Sequence, residues 1–141
     1  MDTDQALLFD ADLTDRVIGV FYAVYNELGW GFVESVYENA LAMALRQIGL
    51  HIQQQACLIV SFRNQIVGEF RIDLLVENRL VVELKAVAQL APAHEVQLLN
   101  YLKASGLHIG LLLNFGQKPQ LKRKIFGLPK LDPPSSDLIR V

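Results

Sequence analysis

Two apolar runs of strand length, "IVGEFRIDLLV" from Ile66 and "RLVVELKAV" from Arg79, stand no more than a turn apart. A chain that alternates apolar residues through two such runs, with Glu77, Asn78 and Arg79 between them, is committed to a β-hairpin and to a register set by the turn. Strand side chains alternate faces, so Glu83 and Lys85 project together while Val82, Leu84 and Ala86 face the opposite layer. Turn length decides where Asp73 goes. A three-residue loop sets Val76 against Leu80 and Asp73 against Glu83 on one face; a two-residue loop of Asn78 and Arg79 sets Asp73 against Leu84. The three-residue register is expected.

Two facing carboxylates repel, and in a half-buried sheet both also lose hydration. A cation between them relieves both costs. Hard oxygen ligands suit Mg²⁺ or Mn²⁺, with the backbone carbonyl of Leu84 and waters to complete the shell, and Lys85 beside such an ion can stabilise charge on a phosphate. A bare D…ExK spacing is equally met by acids that salt-bridge Lys85, Arg71 or Arg79 at a sheet surface. Other segments shift that balance. In "HEVQLLNYLK", Gln97 and Tyr101 lie four apart on one helical face near His94 and Glu95, and in "GWGFVESVYENAL", Glu34, Tyr37 and Glu38 share another. Read singly, each Tyr packs with a satisfied hydroxyl, and His94 and His108 are structural or exposed.

The remaining pattern fills in the fold. "LTDRVIGVFYAVYNEL" carries Val17, Val20, Phe21, Val24 and Leu28 on one stripe, predicting a helix from about Leu13 to Leu28 capped by Asp12 or Thr14. A second helix is predicted from Val33 to about Ile48, with Gly49 closing it. "HIQQQACLIVSF" reads as a strand before an "RNQ" turn, a helix follows from about Ala93 to Ala104, and "GLHIGLLLNF" is a buried strand. "GQKPQLKRKIFGL" is open between helix and strand. The order is α-α-β-β-β-α-β, a mixed-sheet α/β or α+β sandwich with a helical crossover into the last strand.

At 141 residues, 52% hydrophobic and 20% charged, the chain is one folded domain. An acidic arm over 1–12, a domain over 13–126 and a Pro-containing tail over 127–141 are expected. No apolar run nears the roughly 20 residues of a membrane helix and the start is acidic, so a cytoplasmic protein without a membrane partner is expected. The single cysteine, Cys57, reads as a small buried strand residue. Net charge is −2, yet Asp2, Asp4, Asp10, Asp12 and Asp15 crowd the start while Lys118, Lys122, Arg123, Lys124 and Lys130 crowd the end. That basic segment could meet phosphates or simply face solvent.

Taken together, "GFVESVY" with Gly31, Glu34 and Tyr37, "IDLLVENRLVVELKAV" and "HEVQLLNYLKASGLHIGLLLNFG" resemble the bacterial GxxExxY proteins, a branch of the PD-(D/E)XK nuclease superfamily, over Leu13 to Gly116. The resemblance implies a restriction-endonuclease-like core, a central mixed sheet flanked by helices. It implies Asp73 and Glu83 as metal ligands, Lys85 as the catalytic lysine and Glu34 as an acid assisting the metal. Gln97 and Tyr101 match a QxxxY helix that orients the site or contacts nucleic acid, and Tyr37 joins them. Ile72 stands where the superfamily has proline, and Tyr25 where relatives have His. The function so implied is a Mg²⁺-dependent nuclease acting on DNA ahead of RNA, alone, as a homodimer or with a protein partner. Its competitors are a non-catalytic nucleic-acid-binding or protein-interaction module on the same fold, and a hydrolase of smaller phosphate esters.

Overall fold

A computed structural model describes residues 3–127. Two helices, α1 (Thr3–Leu28) and α2 (Glu34–Gln47), precede β1 (Ile52–Phe62), β2 (Gln65–Val76) and β3 (Leu80–Lys85). Helix α3 (Pro92–Ser105) then leads into β4 (Ile109–Phe115) and β5 (Pro119–Ile125). The sheet order is β1-β2-β3-β4-β5, antiparallel except for the parallel β3–β4 pair that α3 connects. A parallel pair needs a crossover long enough to reverse the chain, and α3 is that crossover. The expected mixed sheet flanked by helices is present in the expected order. The segment open between helix and strand becomes β5, an edge strand with Pro119 at its start, where a missing N–H costs least.

Helices α1 and α2 cover one face. Leu13, Val17, Phe21 and Val24 of α1 and Tyr37, Leu41 and Leu45 of α2 pack on Leu80, Val82 and Leu84 of β3 and on Leu111, Leu113 and Phe115 of β4. Phe115 anchors that layer, with the Tyr37 ring stacked on it at 4.3 Å and Phe21 meeting it edge-on at 4.9 Å. On the other face, Leu98 and Leu102 of α3 pack against Val81, Leu112, Ala56, Leu58 and Ile72. Strands β3 and β4 are thus buried on both sides, which accounts for their continuous apolar sequence.

Strands β1 and β2 change faces midway. Ile52, Leu74 and Val76 pack on the α1–α2 side, but Ala56, Leu58 and Ile72, of the same parity, pack beneath α3. The inversion falls at Gln55, whose φ of 52° is left-handed and which is missing from a ladder that pairs Gln54 with Leu74 and Ala56 with Ile72. The outer half of the hairpin therefore curls over α3.

Two expectations are corrected, the start of α1 and the burial of Cys57. Helix α1 begins at Thr3, not near Leu13, so the boundary drawn after residue 12 falls inside a helix and neither Asp12 nor Thr14 caps it. Asp10 would break the apolar stripe, but it is buried against Arg79, whose Nε donates to Asp10 Oδ1 at 2.7 Å, and Thr14 Oγ1 donates back to the Asp10 carbonyl at 2.6 Å. Cys57 is exposed, because Ala56 and Leu58 take the inward positions of β1. The tail beyond Gly127, with Lys130, lies outside the described residues.

Candidate active site

The turn between β2 and β3 has the three residues Glu77, Asn78 and Arg79, with Glu77 and Asn78 both left-handed at φ 53°. Asn accepts that conformation readily; Glu77 is held there from outside, its amide donating to the His51 carbonyl at 2.9 Å and its Oε2 accepting from the His51 amide at 2.8 Å. The turn fixes the register as Val76 with Leu80, Leu75 with Val81 and Leu74 with Val82. One step further lie Asp73 and Glu83.

There the strands part, and side chains replace the ladder. The Asp73 amide donates to Glu83 Oε2 at 2.8 Å, and the Leu84 amide donates to Asp73 Oδ2 at 2.8 Å. Each acid thus occupies the backbone of the opposite strand, so that neither carboxylate can swing away without unpairing an amide. Glu83 is 4% exposed. Burial first, and then the Asp73 charge beside it, push its carboxyl up from 4.5 to about 8.

Neither arginine of the surface salt-bridge alternative pairs with these acids. Arg79 is bound to Asp10 and Arg71 lies 3.6 Å from Glu69, each away from Asp73 and Glu83. Lys85, on the Glu83 face, donates to Gln97 Oε1 at 3.4 Å. Gln97 also hydrogen-bonds the Tyr101 hydroxyl one helical turn on, and that hydroxyl is pushed up by burial and by the nearby Glu83 and Asp73 charges. Glu34, the first residue of α2, faces the same cluster: burial raises its carboxyl, opposed by Lys85 and reinforced by Asp73. The His94 Nδ1 accepts from the Ala91 amide at 3.0 Å and so steadies the start of α3. Asp73, Glu83, Lys85, Glu34, Gln97 and Tyr101, scattered over four elements, are brought together.

Tyr37 is not among them. It is fully buried, so it cannot contact a substrate. Its hydroxyl donates to the Gly29 carbonyl at 2.6 Å and accepts from the Phe32 amide at 3.2 Å, holding the loop from which Glu34 emerges. The glycines of that loop are needed as such, with φ of 71° at Gly29 and 113° at Gly31.

Gln55 was not foreseen. Its Nε2 donates to Asp73 Oδ1 at 3.2 Å and to Glu38 Oε1 at 2.5 Å, tying the first acid to α2. The polar triplet "QQQ" was the available signal, but alternation alone sends its members to opposite faces and does not single out Gln55.

Among the described residues no group of three or more His, Cys, Asp or Glu side chains is arranged to hold a metal ion. The site offers a pair of acids, Asp73 and Glu83. Their chemistry suits a hard divalent cation, because a carboxyl that keeps its proton through burial first, and through a neighbouring carboxylate second, is one that a cation would ionise.

The model of the PD-(D/E)XK nuclease superfamily matches residues 11–125. No curated protein matches the chain. The crystal structure of SSO0001 superposes with a TM-score of 0.54 at 15% sequence identity, covering 90% of this chain and 65% of that one, a likeness that speaks for the fold alone. This chain therefore spans about 65% of the length of SSO0001.

Proposed function

The chain belongs to the PD-(D/E)XK nuclease superfamily, and on that premise we propose that it is a divalent-metal-dependent nuclease hydrolysing phosphodiester bonds of DNA, with RNA as the second choice of substrate. The observation that carries the reading is the reciprocal hold of Asp73 and Glu83 on each other's strand, with Lys85 on the same face. Asp73 and Glu83 are assigned to hold Mg²⁺ or Mn²⁺, with the Leu84 carbonyl and Glu34 as further ligands. Such an ion supplies a water of lowered pKa and neutralises charge on the phosphate oxygens. Lys85, steadied by Gln97, donates to a phosphate oxygen as charge builds on it, and Gln55 keeps Asp73 from rotating out of the cluster. Within the superfamily, the GxxExxY branch is favoured by the Tyr37 hydroxyl, which couples the glycine loop to the helix bearing Glu34.

The chain is read as one nuclease-like domain that includes α1. A cytoplasmic setting agrees with the finding that no described helix is long and apolar enough to cross a membrane. Two cations of the basic segment are paired, Arg123 3.3 Å from Asp15 and Lys124 2.5 Å from Glu95, while Lys118 and Lys122 are exposed. A homodimer or a protein partner would supply further positive surface.

The test is incubation with linear and circular, single- and double-stranded DNA and with RNA, under Mg²⁺, Mn²⁺ and EDTA. Cleavage is expected with either metal and not in EDTA, and a fall of at least about 100-fold in Glu83→Ala and in Lys85→Ala. Cleavage that survives both substitutions, or a failure to cut any substrate, overturns the reading.

A further inference from the structure

Where the β1–β2 hairpin curls over α3, it leaves a groove of about 950 Å³ between them. Ile59 and Val96 line it with Asn100 and Lys103, and Phe70 forms part of one wall. Gln97 and Tyr101 line it too, so the groove opens directly from the candidate active site, where Gln97 accepts from Lys85.

Phe70 has no place in the catalytic cluster. It pairs with Leu58 and shares the α3 side of the sheet with Ile72, yet it is 45% exposed beside core residues that are closed to solvent. Its ring centroid is 5.8 Å from that of Tyr101. Gly68 makes room for it, since a methyl there would stand 3.1 Å from Phe70 Cε2. A half-exposed aromatic ring, Phe70, next to the proposed phosphodiester-cleaving centre, in a groove lined by one cation, has a specific chemical match. A duplex hides its base faces and presents two rows of phosphates, so a surface for it must be rich in free Lys and Arg. An unpaired strand exposes flat base faces that stack on aromatic rings and needs fewer cations.

We propose that this groove seats the bases of an unpaired nucleic-acid strand, with Phe70 as the stacking platform and Lys103 meeting a phosphate, so that the strand's backbone passes Lys85 and Glu83. The choice of ligand rests on the nuclease reading; the groove and its aromatic wall do not.

The test measures binding by fluorescence anisotropy in EDTA, where nothing is cut, using a labelled oligo-dT strand and a hairpin duplex of equal length. The single strand binds at least about tenfold more tightly than the duplex. Phe70→Ala weakens single-strand binding about tenfold or more without changing duplex binding, and Phe70→Trp retains it. Val96→Glu, at a position on α3 that is 55% exposed and needed for no core contact, weakens it as well and covers the case in which Phe70→Ala misfolds. Equal or tighter duplex binding overturns the proposal, as does single-strand binding unchanged in both variants. A dimer that both variants dissociate with strand binding intact also overturns it, by making the groove a self-interface. The two readings fail separately: single-strand preference without metal-dependent cleavage sinks the nuclease and keeps the groove, whereas cleavage with no single-strand preference does the reverse.

Discussion

Asp73 and Glu83 each hold the other's strand, the Asp73 amide donating to Glu83 Oε2 and the Leu84 amide donating to Asp73 Oδ2, both at 2.8 Å. The sheet thus ends its β2–β3 pairing with two carboxylates where two backbone bonds would stand, and one of them is buried deeply enough to keep its proton.

The pH dependence of stability follows from that proton. Glu83 has a carboxyl at about 8 in the folded chain against 4.5 when solvated, so between those values the folded state holds more protons than the unfolded. Its contribution is full below about 4.5 and is lost as pH rises through about 8. Glu83→Gln cannot ionise, so in EDTA it is expected to match the parent at low pH and to exceed it at pH 8 to 9 by about 1–3 kcal/mol. Urea midpoints from pH 4 to 9 check this, and parallel curves for the two proteins would contradict it.

Tyr37→Phe keeps the ring on Phe115 and removes the hydroxyl that bridges Gly29 and Phe32. A loss of about 0.5–1.5 kcal/mol is expected, with faster amide exchange at Phe32 and lower cleavage through a looser Glu34. Unchanged exchange at Phe32 would show that the hydroxyl does not hold the loop.

Arg79→Ala strands the buried Asp10 carboxylate that lets α1 run through its acidic segment. The expected cost is about 1–3 kcal/mol, with exchange rising in the first half of α1 and cleavage retained. The double variant Asp10→Leu, Arg79→Leu should recover most of it, since no charge is then left unpaired. Thermal unfolding of the single and double variants decides between this and a surface pair of no consequence.

Two glycines separate close packing from mere helix content. A methyl at Gly116 would collide with the Val87 carbonyl oxygen, so Gly116→Ala is expected to cost about 3 kcal/mol. Gly19 lies within α1 with nothing within 4 Å of such a methyl, so Gly19→Ala should stabilise by about 0.5–1 kcal/mol. Denaturant unfolding of the two variants should move in opposite directions.

Local pattern was enough for most of the elements, though not for the start of α1 or for β5, and for the spacing of the candidate site residues. The alternation in β2 and β3 gave the hairpin, and the Gln97–Tyr101 and Glu34–Tyr37 spacings gave two helical faces, because these depend on periods of two and 3.6 that the backbone itself imposes. Cys57 and the start of α1 were misread for a common reason: one depends on which parity of β1 is inward, the other on an arginine 69 residues away that neutralises Asp10.

The amino-acid order determined that Glu83 and Lys85 share a face and narrowed Asp73 to two positions, one for each turn length. Only the folded molecule chose between them, because the left-handed Glu77 is held by His51, the residue just before β1. Tertiary structure also supplied Gln55, the burial that raises Glu83, and the groove beside Phe70. The groove arises from the curl of β1 and β2 over α3, and all three depend on long-range packing that brings together residues no local spacing connects.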